Sequence, residues 1–74
     1  MINAEKENYL KQFGSNLKKL RLSKNLSQAQ LSYIVDLDVM TISRIERGLL
    51  NISILNAHKI SNALGISNKD LFDF

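Results

Sequence analysis

Apolar residues recur at intervals of three and four along most of the chain, and nowhere do they alternate with period two. Leu10, Phe13, Leu17 and Leu20 form one stripe, which predicts an amphipathic helix from about Lys6 to Lys24. Asn25 tolerates the left-handed backbone that ends a helix. Ser27, three residues before Gln30, makes a capping-box pattern that opens a second helix at Gln28, with Leu31, Ile34 and Val35 as its inner face. Asp36-Leu37-Asp38 reads as a turn, and Asp38 caps a third helix from Val39 to Arg47 that stops at Gly48. Ser53 caps a fourth helix in which Ile54, Ala57, Ile60 and Leu64 keep the period and Gly65 is the stop. Ser67 and Asp70 form another box before a last turn carrying Leu71 and Phe72.

The expected fold class is therefore all-α, with five short helices in one domain. Its core runs over about residues 8–72, with residues 1–5 and 73–74 as tails. The chain has 74 residues, no proline and three glycines, which suits helices joined by tight turns. Having no cysteine excludes a disulfide scaffold, a zinc–thiolate site and a cysteine nucleophile. No apolar run approaches the roughly 20 residues that cross a bilayer. The N-terminus shows no secretory pattern, so the expected location is cytoplasmic.

Charge adds a direction. The net charge is only +3, but five basic residues and no acidic one lie between Lys11 and Lys24. Arg44 and Arg47 form a second basic group, while Glu5, Glu7, Asp70 and Asp73 gather toward the ends. On a wheel of about 100° per residue, Ile42 and Ile45 face inward, Glu46 lies at the edge, and Met40, Ser43, Arg44 and Arg47 face outward. Such a stripe is either an ordinary solvated face or a contact surface. Arginine bonds bidentately to a guanine edge or a phosphate, and methionine packs on thymine methyls.

The stretch Leu26-Ser27-Gln28-Ala29-Gln30-Leu31, followed by Thr41-Ile42-Ser43-Arg44-Ile45-Glu46-Arg47-Gly48, resembles the Cro/repressor (Xre) family of regulators. Asn51 and Ser53, then Ala63 to Ser67 and Asp70-Leu71-Phe72, extend the resemblance over roughly residues 10–72. It implies a lambda-repressor-like DNA-binding domain in which helices two and three form a helix-turn-helix. By that resemblance Val39, Met40 and Arg44 read bases, flanked by Thr41 and Ser43, while Ser27 and Gln28 meet phosphate at a helix N-terminus. Lys18, Lys19, Arg47 and Asn51 are further phosphate candidates. Arg21 and Glu46 match a charged pair that ties the first helix to the third.

The chain departs from the family pattern in places. Asp36 stands where glycine is usual in the turn, Leu49 and Leu50 replace common basic residues, and Ile52 replaces a common proline. Val39 cannot hydrogen-bond to a base edge, so specificity leans on Arg44, methyl contacts and DNA shape. Leu49, Leu50 and Ile52 either form a dimer interface or fold over the domain's own core. Phe74 is a further dimer candidate, whereas Phe72 is expected to cap the core.

The expected partner is double-stranded DNA with a palindromic operator, bound by a homodimer; the size is similar to that of restriction–modification controller proteins. The resemblance leaves repression or activation open. The competing reading is a protein-interaction module of the same fold, an antitoxin or adaptor. No enzyme site, cofactor, metal ligand set, membrane contact or small-molecule ligand is implied: His58 has no ligand at metal spacing, Asp36 and Asp38 suit turn and cap chemistry, and Tyr9 and Tyr33 suit packing.

Overall fold

The computed structural model describes residues 3–74. All regular structure in it is helical: α1 (Asn3–Ser23), α2 (Gln28–Val35), α3 (Val39–Glu46), α4 (Ile54–Leu64) and α5 (Asn68–Leu71). Serine side chains cap three of them, Ser27 on α2, Ser53 on α4 and Ser67 on α5, each accepting from the backbone N–H three residues on. The boxes at Ser27–Gln30 and Ser67–Asp70 both close reciprocally. Asn25 and Asp36 end α1 and α2 in the left-handed region (φ 58° and 56°), so Asp36 does supply the conformation that glycine usually provides.

α1 lies across α3 and α5, α2 packs on α3 and α4, and α4 packs on α5. Every helix delivers at least one residue to a single core: Phe13, Leu17, Leu31, Val35, Ile42, Ile45, Ala57, Ile60, Leu64 and Leu71. Leu17, Leu31, Ile42, Ile45, Ile60 and Leu71 are fully enclosed, and Leu20, Leu26, Leu37, Ile52, Ala63 and Ile66 close its rim. Asn16 donates its amide to the carbonyls of Asp70 and Leu71, both at 2.9 Å, which fastens α5 to α1.

Two expected core residues lie outside. Ile34 is half exposed, because the inward side of α2 centres on Leu31, Val35 and Ser32. The Ser32 hydroxyl satisfies itself on the Ala29 carbonyl at 2.7 Å. Ile54 is 91% exposed, since it occupies the first turn of α4, ahead of the part that meets α2 and α5. The tails also differ: Asn3 to Glu5 form the first turn of α1, and Phe74 packs on Tyr9 with ring centroids 5.2 Å apart and the rings tilted by 60°. The remaining tail residues, Met1 and Ile2, fall outside the described residues. Phe72 does cap the core through Phe13, 5.1 Å between centroids, but it keeps almost half its surface in solvent.

Gly14 sits where α1 crosses α3. A Cβ there would lie 2.5 Å from the Glu46 carbonyl oxygen and closer still to that of Ile45. Gly48 combines φ +75° with a close approach, since a Cβ there would meet the Lys11 backbone at 2.7 Å. These two glycines let α1 rest on the last turn of α3.

Candidate nucleic-acid interface

α2, the turn at residues 36–38 and α3 form a helix-turn-helix whose angle is held by one buried network. Arg21 Nε donates to Glu46 Oε2 at 2.6 Å and Arg21 Nη2 to Oε1 at 2.9 Å. Arg21 Nη1 donates to the Leu26 carbonyl at 2.7 Å, and Gln28 Nε2 to Glu46 Oε1 at 3.0 Å. Both charged side chains are nearly inaccessible, with 6% and 2% of their surface exposed. An unpaired charge there would be costly, whereas a bidentate pair with its spare donor satisfied is tolerated. The network thus fixes the end of α1, the start of α2 and the last turn of α3 relative to one another.

The expected pair of Arg21 and Glu46 is present, and Gln28 joins it. One of the two Gln28 amide N–H groups is spent on Glu46, so the side chain is turned inward. At the start of α2, Ser27 is exposed and is held in its capping box with Gln30.

The outer side of α3 matches the wheel except at Ser43. Met40, Arg44 and Arg47 are exposed, as is Val39 beside them, while Ile42, Ile45 and Glu46 are buried. Thr41 and Ser43 are half-buried, which places them behind the exposed residues. Arg47 caps α3 and reaches back to the Ser43 carbonyl at 3.4 Å.

The lysines of α1 separate. Lys11, Gly14, Lys18 and Arg21 follow one line of the helix, and Gly14 and Lys11 on that line touch the end of α3 and Gly48. Lys18 is therefore beside α3. Lys19, about 100° further round, lines a groove with Gln12, Ser15, Asn16, Asp73 and Phe74, on the α5 side. Lys11 belongs with Lys18 and was recognisable from their seven-residue spacing. Asn51 also lies off the stripe, in the wall of an apolar groove shared with Tyr9, Phe13, Ile54 and Phe72.

Of the dimer candidates, Leu49 and Leu50 are exposed and Ile52 is packed against the core, so the loop is divided between the two readings. Ile54 and Leu55, which follow in the first turn of α4, are more exposed than Leu50 and extend the apolar surface toward Phe72. Their exposure depends on where α4 ends against its neighbours, for which the sequence carries no signal. His58 is exposed, as expected of a surface residue, and its ring bonds to Asn68 and Asn62. Among the described residues no three His, Cys, Asp or Glu side chains are grouped to hold a metal ion, and no helix is long and apolar enough to cross a membrane.

Comparison with known proteins agrees with this architecture. The chain is 51% identical over 63 residues to the control protein C.BamHI of Bacillus amyloliquefaciens, covering 84% of this chain and 78% of that protein. It is 48% identical over 61 residues to the control protein C.MunI of Mycoplasma, covering 81% and 82%. Its fold superposes on the crystal structure of the restriction–modification controller protein C.AhdI from Aeromonas hydrophila with a TM-score of 0.84 and 40% identity, over 85% of this chain and 96% of that one. The helix-turn-helix family HTH_3 matches residues 17–68, which contain α2, the turn, α3 and the network that holds them, and the chain is a member of that family.

Proposed function

We propose that the chain is a sequence-specific regulator of transcription that binds double-stranded DNA as a homodimer on an inverted-repeat operator. The observation that carries this reading is the exposed stripe of α3, Met40, Arg44 and Arg47 with Val39 beside it, on a helix locked in place by Arg21, Glu46 and Gln28. Its likeness to two control proteins and to a restriction–modification controller protein supports this reading. In this reading α3 enters the major groove and Arg44 bonds to a guanine edge. Val39 and Met40 meet thymine methyls, and the start of α2, Lys11, Lys18 and Arg47 lie against phosphates.

Dimerisation is assigned to the surface of Leu49, Leu50, Ile54 and Leu55, four exposed apolar residues that begin shortly after α3. A two-fold axis there sets two copies of α3 about one DNA turn, roughly 34 Å, apart. Selection of bound duplexes from a randomised library tests the whole reading. It is expected to return an inverted repeat; the absence of any enriched sequence would favour the fold as a protein-interaction module.

Two predictions follow from where the side chains lie. Arg44→Ala should weaken specific binding by about 1–3 kcal/mol and relax the base preference at one position of each half-site. Unchanged affinity would remove Arg44 as a reader. Lys18→Ala should flatten the dependence of log affinity on log salt by at most about one unit, while Lys19→Ala leaves the slope as it is. Equal effects of the two would contradict the division of the α1 lysines between two faces.

A further inference from the structure

The recognition stripe is polarised along the helix. Its cations, Arg44 and Arg47, are in the C-terminal half, and the exposed residues at its N-terminal end are Asp38, Val39 and Met40. Asp38 caps α3, but through a single bond of 3.4 Å that its Oδ1 accepts from the Met40 N–H, the longest of the four helix-capping bonds. Its second oxygen accepts nothing among the described residues. Capping explains an oxygen-bearing side chain at this position. It does not require a charged one, since neutral serine caps α2, α4 and α5. A carboxylate on a surface that must approach a polyanion opposes binding, so its presence calls for a compensating contact. The other acidic residue of the turn is placed elsewhere: Asp36 lines a groove with Lys59 and Asn62, on the α4 side.

Building on the reading of α3 as the recognition helix, we propose that Asp38 is a specificity-determining residue. Its free carboxylate oxygen accepts a hydrogen bond from the exocyclic amine of a cytosine or adenine in each half-site. A carboxylate only accepts, so it discriminates against guanine and thymine, whose hydrogen-bonding atoms in the major groove are acceptors. The helix end then reads amines and methyls, and Arg44 reads the guanine edge further along.

The test is selection from randomised duplexes at about 0.15 M salt with the wild-type chain and with Asp38→Asn, whose side chain caps a helix equally well. The wild-type chain is expected to favour cytosine or adenine at one position of each half-site by about fivefold or more. In Asp38→Asn a cytosine preference should disappear. An adenine preference should persist with guanine no longer excluded, because the amide both donates and accepts. The position set by Arg44 should stay unchanged. The same selected sequence with uniformly tighter binding would overturn the proposal and leave Asp38 as a cap alone. If thermal unfolding shows Asp38→Asn to be destabilised, Asp38→Ser, which restores the cap used by the other helices, is expected to lose the preference outright; its retention would again overturn the proposal. A wild-type chain that enriches no sequence would instead bring down the regulator reading, an outcome distinct from a motif that ignores residue 38.

Discussion

Replacing Glu46 with alanine is expected to leave much of the protein unfolded at room temperature. Removing one partner of a buried ion pair costs about 3–5 kcal/mol, because the remaining charge stays enclosed and unpaired. That is comparable to the stability a single core supplies at this chain length. Here the stranded group is Arg21, whose Nε and Nη2 both lose their acceptor, and Gln28 Nε2 loses its own. Urea unfolding should show the midpoint falling toward zero denaturant. The double variant Arg21→Met/Glu46→Leu separates stability from positioning. With no charge left inside, it should regain most of the lost stability while DNA affinity stays reduced, since only apolar packing, and no hydrogen-bonded network, then sets the angle of α2 to α3. A Glu46→Ala protein with the wild-type midpoint would show that the network carries little of the fold.

Gly14→Ala is expected to destabilise by at least about 2 kcal/mol. In an exposed helix the same change would gain roughly 1 kcal/mol, so the sign of the effect is itself informative. The new Cβ would press on the backbone carbonyls of Ile45 and Glu46, which cannot rotate aside as a side chain can. α1 and α3 would have to separate, and the separation would stretch the Arg21–Glu46 pair about two turns along α1. Gly65→Ala is the contrasting case: nothing lies within 4 Å of its Cβ, and only the left-handed backbone, φ +67°, opposes it. Thermal unfolding of the two variants should rank Gly14→Ala as the more damaging. The reverse order would mean that α1 does not depend on close contact with α3.

Helices, caps and stops were readable because they depend on neighbours within one turn. Ser27 with Gln30, Ser67 with Asp70, Asn25 and Gly65 each satisfy or end a helix through bonds spanning a few residues, and such chemistry is written locally. The outward stripe of α3 was readable for the same reason: two buried isoleucines set the phase of an eight-residue helix. The resemblance in residues 26–48 added what periodicity cannot give, namely which exposed residues to regard as readers.

The sequence by itself thus determined five helices, their order, most of the core, and the partnership of Arg21 with Glu46. Only the tertiary structure decided which residues at the edges of those stripes are covered. Ile34 and Ile54 carry the right period but lie outside, because a helix face is buried only as far as a neighbouring helix extends over it. Lys18 and Lys19 are adjacent in sequence yet lie on different faces, and Gln28 bonds to Glu46 because α1 and α3 bring a buried carboxylate within its reach. The place of Gly14 was decided in the same way. Its requirement is the distance between two helices some thirty residues apart in the chain, set when their backbones meet.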